Sequence, residues 1–130
     1  MSQPSLRATS LGLAFSWASM LAHNLYELPL SPIDIENSGP LAVAVGLGVA
    51  LAWRPRSRAV MAAIAAWALL NLVIGGMISV LPLSVLPFVP EQTLSHYLAH
   101  LVYTFGQVPL LVLSIQGLRS HRETGDEVSR

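Results

Sequence analysis

Four stretches of this chain, residues 8–26, 37–53, 59–90 and 92–118, contain no Asp, Glu, Lys or Arg. A helix that crosses a bilayer needs about 20 mostly apolar residues, with about 17 as the lower limit. Helices of a water-soluble bundle keep a charged face toward solvent. The chain has 130 residues, 11% of them charged, where an ordinary soluble domain has about 25%. That is too few to cover a water-facing surface. The expected fold is an all-α integral membrane bundle of four transmembrane helices in up-down topology, one helix per run, forming a single domain over residues 1–118. The second run is the marginal one. Arg7 followed by apolar residues 11–22 also has the outline of a signal peptide, but what would follow cleavage is not a soluble domain.

The basic residues are all arginines, and they are placed on one side. Arg7 precedes the first run, Arg54, Arg56 and Arg58 fill the turn after the second, and Arg119, Arg122 and Arg130 follow the fourth. The other two connections hold only acids: Asp34 and Glu36 in the first, Glu91 in the third. The positive-inside rule then puts both termini and the arginine turn in the cytoplasm of a cell bounded by this plasma (inner) membrane. The tail 119–130 is polar and is expected to be a disordered cytoplasmic extension, with His121 a solvated bystander. Formal net charge is zero, so nothing points to nucleic acid as a partner. Cysteine is absent, which removes disulfides, thiolate metal sites and thiol catalysis.

The first span is expected to stop before Pro29 and Pro32. The second opens at Ser38 and Gly39, with Pro40 in the first turn. Its body alternates large and small residues, a strand-like period. A lone strand cannot satisfy its backbone in lipid, so the helical reading stands. It creates two small-residue stripes, Ala42–Gly46–Ala50 and Ala44–Gly48–Ala52, suited to close helix approach. The third span is alanine-rich, then carries Asn71, read as an interhelical hydrogen bonder, followed by the pair Gly75 and Gly76. Residues 82–90 hold three prolines, too many for a helix, and are expected to form an outward interfacial loop between helices three and four. The fourth span starts near Thr93, ends near Leu118 and is expected to kink at Pro109, which frees the carbonyl of Phe105. Tyr26, Trp53, Tyr97 and Phe88 fall where aromatic belts form.

The chemistry lies in the first and last spans. His23 and Glu27 are four residues apart, as are His96 and His100, so each pair shares a helix face. If the two helices pack antiparallel, residues at one depth keep a constant index sum. A register pairing His23 with His100 also pairs Glu27 with His96, Met20 with Tyr103, Ser19 with Thr104 and Ser16 with Gln107. Among the polar residues in the outer half of the first span, Asn24 is the exception, left opposite Ala99. This gathers three imidazoles and a carboxylate near the outer face. Ionisable groups inside a membrane are costly and mark function by default, and a buried Glu27 needs a donor, a proton or a cation.

The expected function is an outward His/Glu cluster binding a transition metal or haem, serving catalysis or transfer at the interface. The metal ligands would be His23, Glu27, His96 and His100, suited to zinc, iron or copper. Glu27 would be the base for activated water. In the haem variant, His23 and His100 would be the axial pair, with Gly75, Gly76 and Gly106 as surfaces for the macrocycle. That variant ranks below a bare ion, because the register sets the two histidines on adjacent helices. A satisfied Glu27–His96 pair that only fixes register is the plain structural alternative. Two other classes are a non-catalytic subunit of a larger membrane complex or homo-oligomer, docking through the small-residue faces of helices two and three, and a proton or solute pathway, which lacks a polar exit below Gln107. Ser95 points about 100° away from His96 and makes no hydrolase arrangement.

Overall fold

The computed structural model describes residues 4–86 and 89–128, with side chains described as far as Ser120. The His121 side chain, Phe88 and the last two residues therefore lie outside the described set. Four helices make up the structure, and no strand occurs among the described residues: α1 (Leu6–Glu27), α2 (Ile35–Trp53), α3 (Arg58–Leu70) and α4 (Leu94–Val128). A π-helical segment, Asn71–Ile78, continues α3 without a break.

Three helical stretches are long and apolar enough to cross a membrane: Ile35–Trp53, Arg58–Ile78 and Leu94–Ser120. Although α1 is long enough, it is not apolar enough by the same measure. Its sequence dilutes the apolar residues with Thr9, Ser10, Ser16, Ser19, His23 and Asn24. Several of these polar residues turn inward: Thr9, Ser16 and Ser19 are buried, while Ser10, Leu11 and Phe15 stay exposed.

Local signals explain most of the helix ends. Ser5 caps α1, its hydroxyl accepting from the Ala8 N–H at 3.1 Å, and Ser57 does the same for α3 through Val60. Thr93 caps α4 by accepting from the His96 N–H at 3.3 Å. These hydroxyls satisfy amides that have no partner within the helix. The second helix departs from expectation. It begins at Ile35 with Asp34 as N-cap residue, and not at Ser38 or Gly39, so Pro40 lies beyond the first turn. The cause is Asp34: its carbonyl accepts from the Asn37 and Ser38 amides at 2.9 and 2.8 Å, starting the helix early. The last helix runs unbroken through Pro109 and on to Val128, past Leu118 and through the segment where a disordered tail was expected. After Pro109 no further proline is present to stop it.

The π segment was not foreseen, though its residues explain it. The Asn71 side chain takes the Trp67 carbonyl at 2.8 Å, and Ser79 N–H reaches five residues back to Ile74 O at 3.0 Å. Widenings of an α-helix to the π form are rare, and they are frequent at functional sites. Asn71 also accepts from the Tyr103 hydroxyl at 2.7 Å, so it bonds between helices as expected. Gly75 and Gly76 let the segment close on α4, since a Cβ at either position would overlap Tyr103 or Thr104. Interhelical hydrogen bonds in membranes contribute about 0.6 kcal/mol on average. Tyr103→Phe should therefore lower stability by about that amount in a denaturation series in detergent, leaving the fold intact.

The interior is divided along the bundle. At the end carrying the arginine turn the core is apolar, built from Leu13, Leu51, Met61, Ile64, Ala68 and Leu110, with at least one residue from each helix. A cavity of about 260 Å3 at that end touches Thr9, Leu51, Arg56, Met61 and Gly117. The opposite half is polar between α1 and α4, which make the most extensive helix pair. One stripe of α2 meets α1 through the buried Ala44 and through Gly48, which faces Leu13. On the other stripe, nothing lies within 4 Å of a Cβ built at Gly46.

Candidate functional site

The α1/α4 seam is antiparallel and follows the expected register at three levels. Glu27 Oε2 meets His96 Nδ1 at 2.5 Å. His23 and His100 stand edge to face, ring centroids 4.3 Å apart. The Ser16 hydroxyl donates to Gln107 Oε1 at 2.5 Å. Two pairings differ, because they share a depth but not a face. Ser19 lies over Gly106 and accepts from Gln107 at 3.3 Å, while Thr104 turns to Gly76. Tyr103 leaves Met20 and lies 5.5 Å from the His23 ring.

The three imidazoles form a compact triangle. His96 and His100 are 4.5 Å apart and His23 and His96 are 6.4 Å apart, centroid to centroid. Two of the rings have one nitrogen spoken for: Nδ1 of His96 is on Glu27 and Nδ1 of His23 is on Asn24 Oδ1 at 3.0 Å. Three ring nitrogens, His23 Nε2, His96 Nε2 and His100 Nδ1, are buried and have no hydrogen-bond partner among the described residues. Buried polar atoms without partners are uncommon in folded proteins, and each calls for an explanation.

Two clefts with mainly apolar walls flank the triangle. One, of about 370 Å3 between α1 and α4, touches His23, and the other, of about 470 Å3 between the π segment and α4, touches His100.

Glu27 is not arranged as a ligand alongside the imidazoles. Its Oε2 is committed to His96, and that pair is nearly buried. Among the described residues no group of three or more His, Asp or Glu side chains is placed to hold a metal ion. Three imidazoles around one tetrahedral ion would have centroids about 5 Å apart, given metal–nitrogen bonds of about 2.0–2.1 Å. Two edges of the triangle are shorter than that and one is longer. Haem does not fit. His23 and His100 touch edge to face with no gap for a macrocycle, and His100 occupies the space that a haem plane between His23 and His96 would cross. The glycines expected to face a macrocycle lie at helix contacts, against Tyr103, Thr104 and Ser19.

Asn24 and Asn37 form a polar link behind His23 that the spacing rules did not reveal. Asn37 is fully buried. Its side chain bonds Asn24 at 2.8 Å and the Ser31 carbonyl at 2.8 Å, and its backbone carbonyl accepts from Trp17 Nε1 at 3.1 Å. The available signal was the lone Asn24 that the register left facing an alanine.

Comparison with protein-family profiles, curated proteins and solved structures finds no match to this chain.

Proposed function

We propose that this chain is a four-span membrane protein that binds one transition-metal ion between His23, His96 and His100 at its outward end. Glu27 is the carboxylate behind His96 and not a ligand. The observation that carries this reading is the set of three unpartnered, buried imidazole nitrogens on one compact triangle. A carboxylate only accepts hydrogen bonds, so a neutral His96 donates from Nδ1 and presents a lone pair at Nε2. This carboxylate–histidine–metal arrangement is how metal sites orient their ligands. Lone pairs on neighbouring rings cannot satisfy each other, and a single cation drawn between the rings would satisfy them together.

Loading requires His23 and His96 to approach by about 1 Å, from 6.4 Å toward the tripod spacing. Three nitrogen ligands without thiolate suit zinc or copper(II). A fourth position is then left for water or an exchanging ligand, which fits transfer or metal-assisted hydrolysis at the interface better than a closed structural site.

Treating α1 as a span rests on its length, about 33 Å at 1.5 Å per residue, and on its inward polar and outward apolar faces. The positive-inside rule supports cytoplasmic termini and a plasma (inner) membrane location, with the proline-rich loop outward. The exposed Tyr26 and Trp53, at the C-terminal ends of successive helices that run in opposite directions, suit the two interfaces. A second reading, a partner subunit of a larger complex, is favoured by the open Ala42–Gly46 stripe of α2. A proton or solute pathway is disfavoured by the fully buried Leu110 below Gln107.

Elemental analysis with a visible absorption spectrum on protein purified in detergent without chelators tests the proposal. Expected are one zinc or copper per chain in the wild type, loss of metal in His96→Ala and His100→Ala, and no haem band. A metal-free wild type turns the reading toward the partner subunit.

A further inference from the structure

The polarity of a hydrogen-bond chain can be read from its fixed end. A backbone carbonyl only accepts, so Ser31 O, 2.8 Å from the Asn37 side chain, must face its Nδ2. Asn37 therefore turns Oδ1 toward Asn24, and Oδ1 accepts from Asn24 Nδ2 at 2.8 Å. Asn24 is left with Oδ1 toward His23, 3.0 Å from Nδ1. An amide oxygen only accepts, so the proton of a neutral His23 belongs on Nδ1. Nε2, the buried nitrogen without a partner, then carries a lone pair.

The start of the chain is itself fixed. Asp34 Oδ2 holds the Ser31 N–H at 2.6 Å, and the Asp34 N–H returns to Ser31 O at 3.2 Å. Asn37 is anchored a third time by Trp17.

We infer that Asn37, acting through Asn24, is a positioning residue that sets the tautomer of His23 so that its Nε2 faces the site as a lone pair. The inference rests on the metal reading for its purpose but not for its test. His96 reaches the same state through Glu27, so two of the three rings are set by partners behind them, one carboxylate and one amide relay. Such outer partners typically change metal affinity by about 10–100-fold when removed.

Histidine 15N chemical shifts separate a protonated ring nitrogen from a bare one. The experiment is run on chelator-stripped, 15N-histidine-labelled protein in detergent, at a pH where the rings are neutral, with the His23 signals assigned by their loss in His23→Gln. In the wild type the His23 proton should lie on Nδ1. In Asn37→Leu the Asn24 amide is free to flip, and the proton should move to Nε2, wholly or in part. Adding Asn24→Asp to Asn37→Leu should return it to Nδ1, because a carboxylate cannot donate. Zinc affinity should fall about 10–100-fold in Asn37→Leu and recover in the double variant.

A wild-type His23 protonated on Nε2, or a proton position indifferent to Asn37→Leu, overturns the inference. The wild-type measurement decides the point even if Asn37→Leu does not fold. A wild type that binds no metal but holds the proton on Nδ1 removes the metal reading and leaves the relay standing.

Discussion

Gly106→Leu should separate α1 from α4 and cost about 3 kcal/mol, the largest stability loss expected from a single substitution in this bundle. A Cβ at Gly106 would overlap the Ser19 side chain, with the Phe15 carbonyl only 3.6 Å behind it. Ser19 has little freedom to withdraw, because its hydroxyl donates to Ser16 O at 2.8 Å and accepts from Gln107. Overpacking of this kind costs about 1–3 kcal/mol. The Gln107 bonds to Ser16 and Ser19 would be lost with it, at about 0.6 kcal/mol each. The seam that aligns His23 with His100 is the same seam, so metal retention should fall with stability. Thermal or denaturant unfolding in detergent reads the first effect and elemental analysis the second. Gly106→Ala should be milder, and adding Ser19→Gly to it should restore much of the loss. Additive losses in that double variant would mean the two residues do not press on each other.

Glu27→Ala should weaken zinc or copper binding about 10–100-fold, the range for carboxylates behind a metal-bound histidine. Two effects combine. His96 loses the acceptor that keeps its proton on Nδ1, and its buried ring is left with an unpaired donor, at a cost of about 1–3 kcal/mol. Glu27→Gln should lose less, because its amide oxygen can still accept from Nδ1 while the negative charge is gone. A titration monitored by competition with a chelating dye separates the three proteins. Equal affinities in all three would remove Glu27 from the site.

The charge-free runs announced a helical, membrane-type chain, and three of the four correspond to helices apolar enough to span. The first did not reach that mark because its polar residues line the α1/α4 seam, and a count of charges takes no account of hydroxyls and amides. The register was legible because polar side chains four apart on two antiparallel helices must find one another or stay unpaired in lipid, and Glu27–His96 and Ser16–Gln107 do so. Which face each polar residue turns was not legible. Thr104 and Tyr103 share depths with Ser19 and Met20, yet they answer to Gly76 and Asn71 on a third element. The Asn37 relay was hidden for a similar reason. It depends on a loop, residues 28–34, folding Ser31 back under the start of α2, and that geometry leaves no periodic trace. The π segment needed the competition between the Asn71 side chain and its own amide for the Trp67 carbonyl, a contest decided by packing against α4.

X-ray absorption at the metal edge of the purified, zinc- or copper-loaded protein tests the central claim most directly, because it reports the ligands of the ion itself. Three imidazole nitrogens at about 2.0 Å are the expected result. An ion bound through oxygen alone, or protein that takes up no stoichiometric metal, would contradict it.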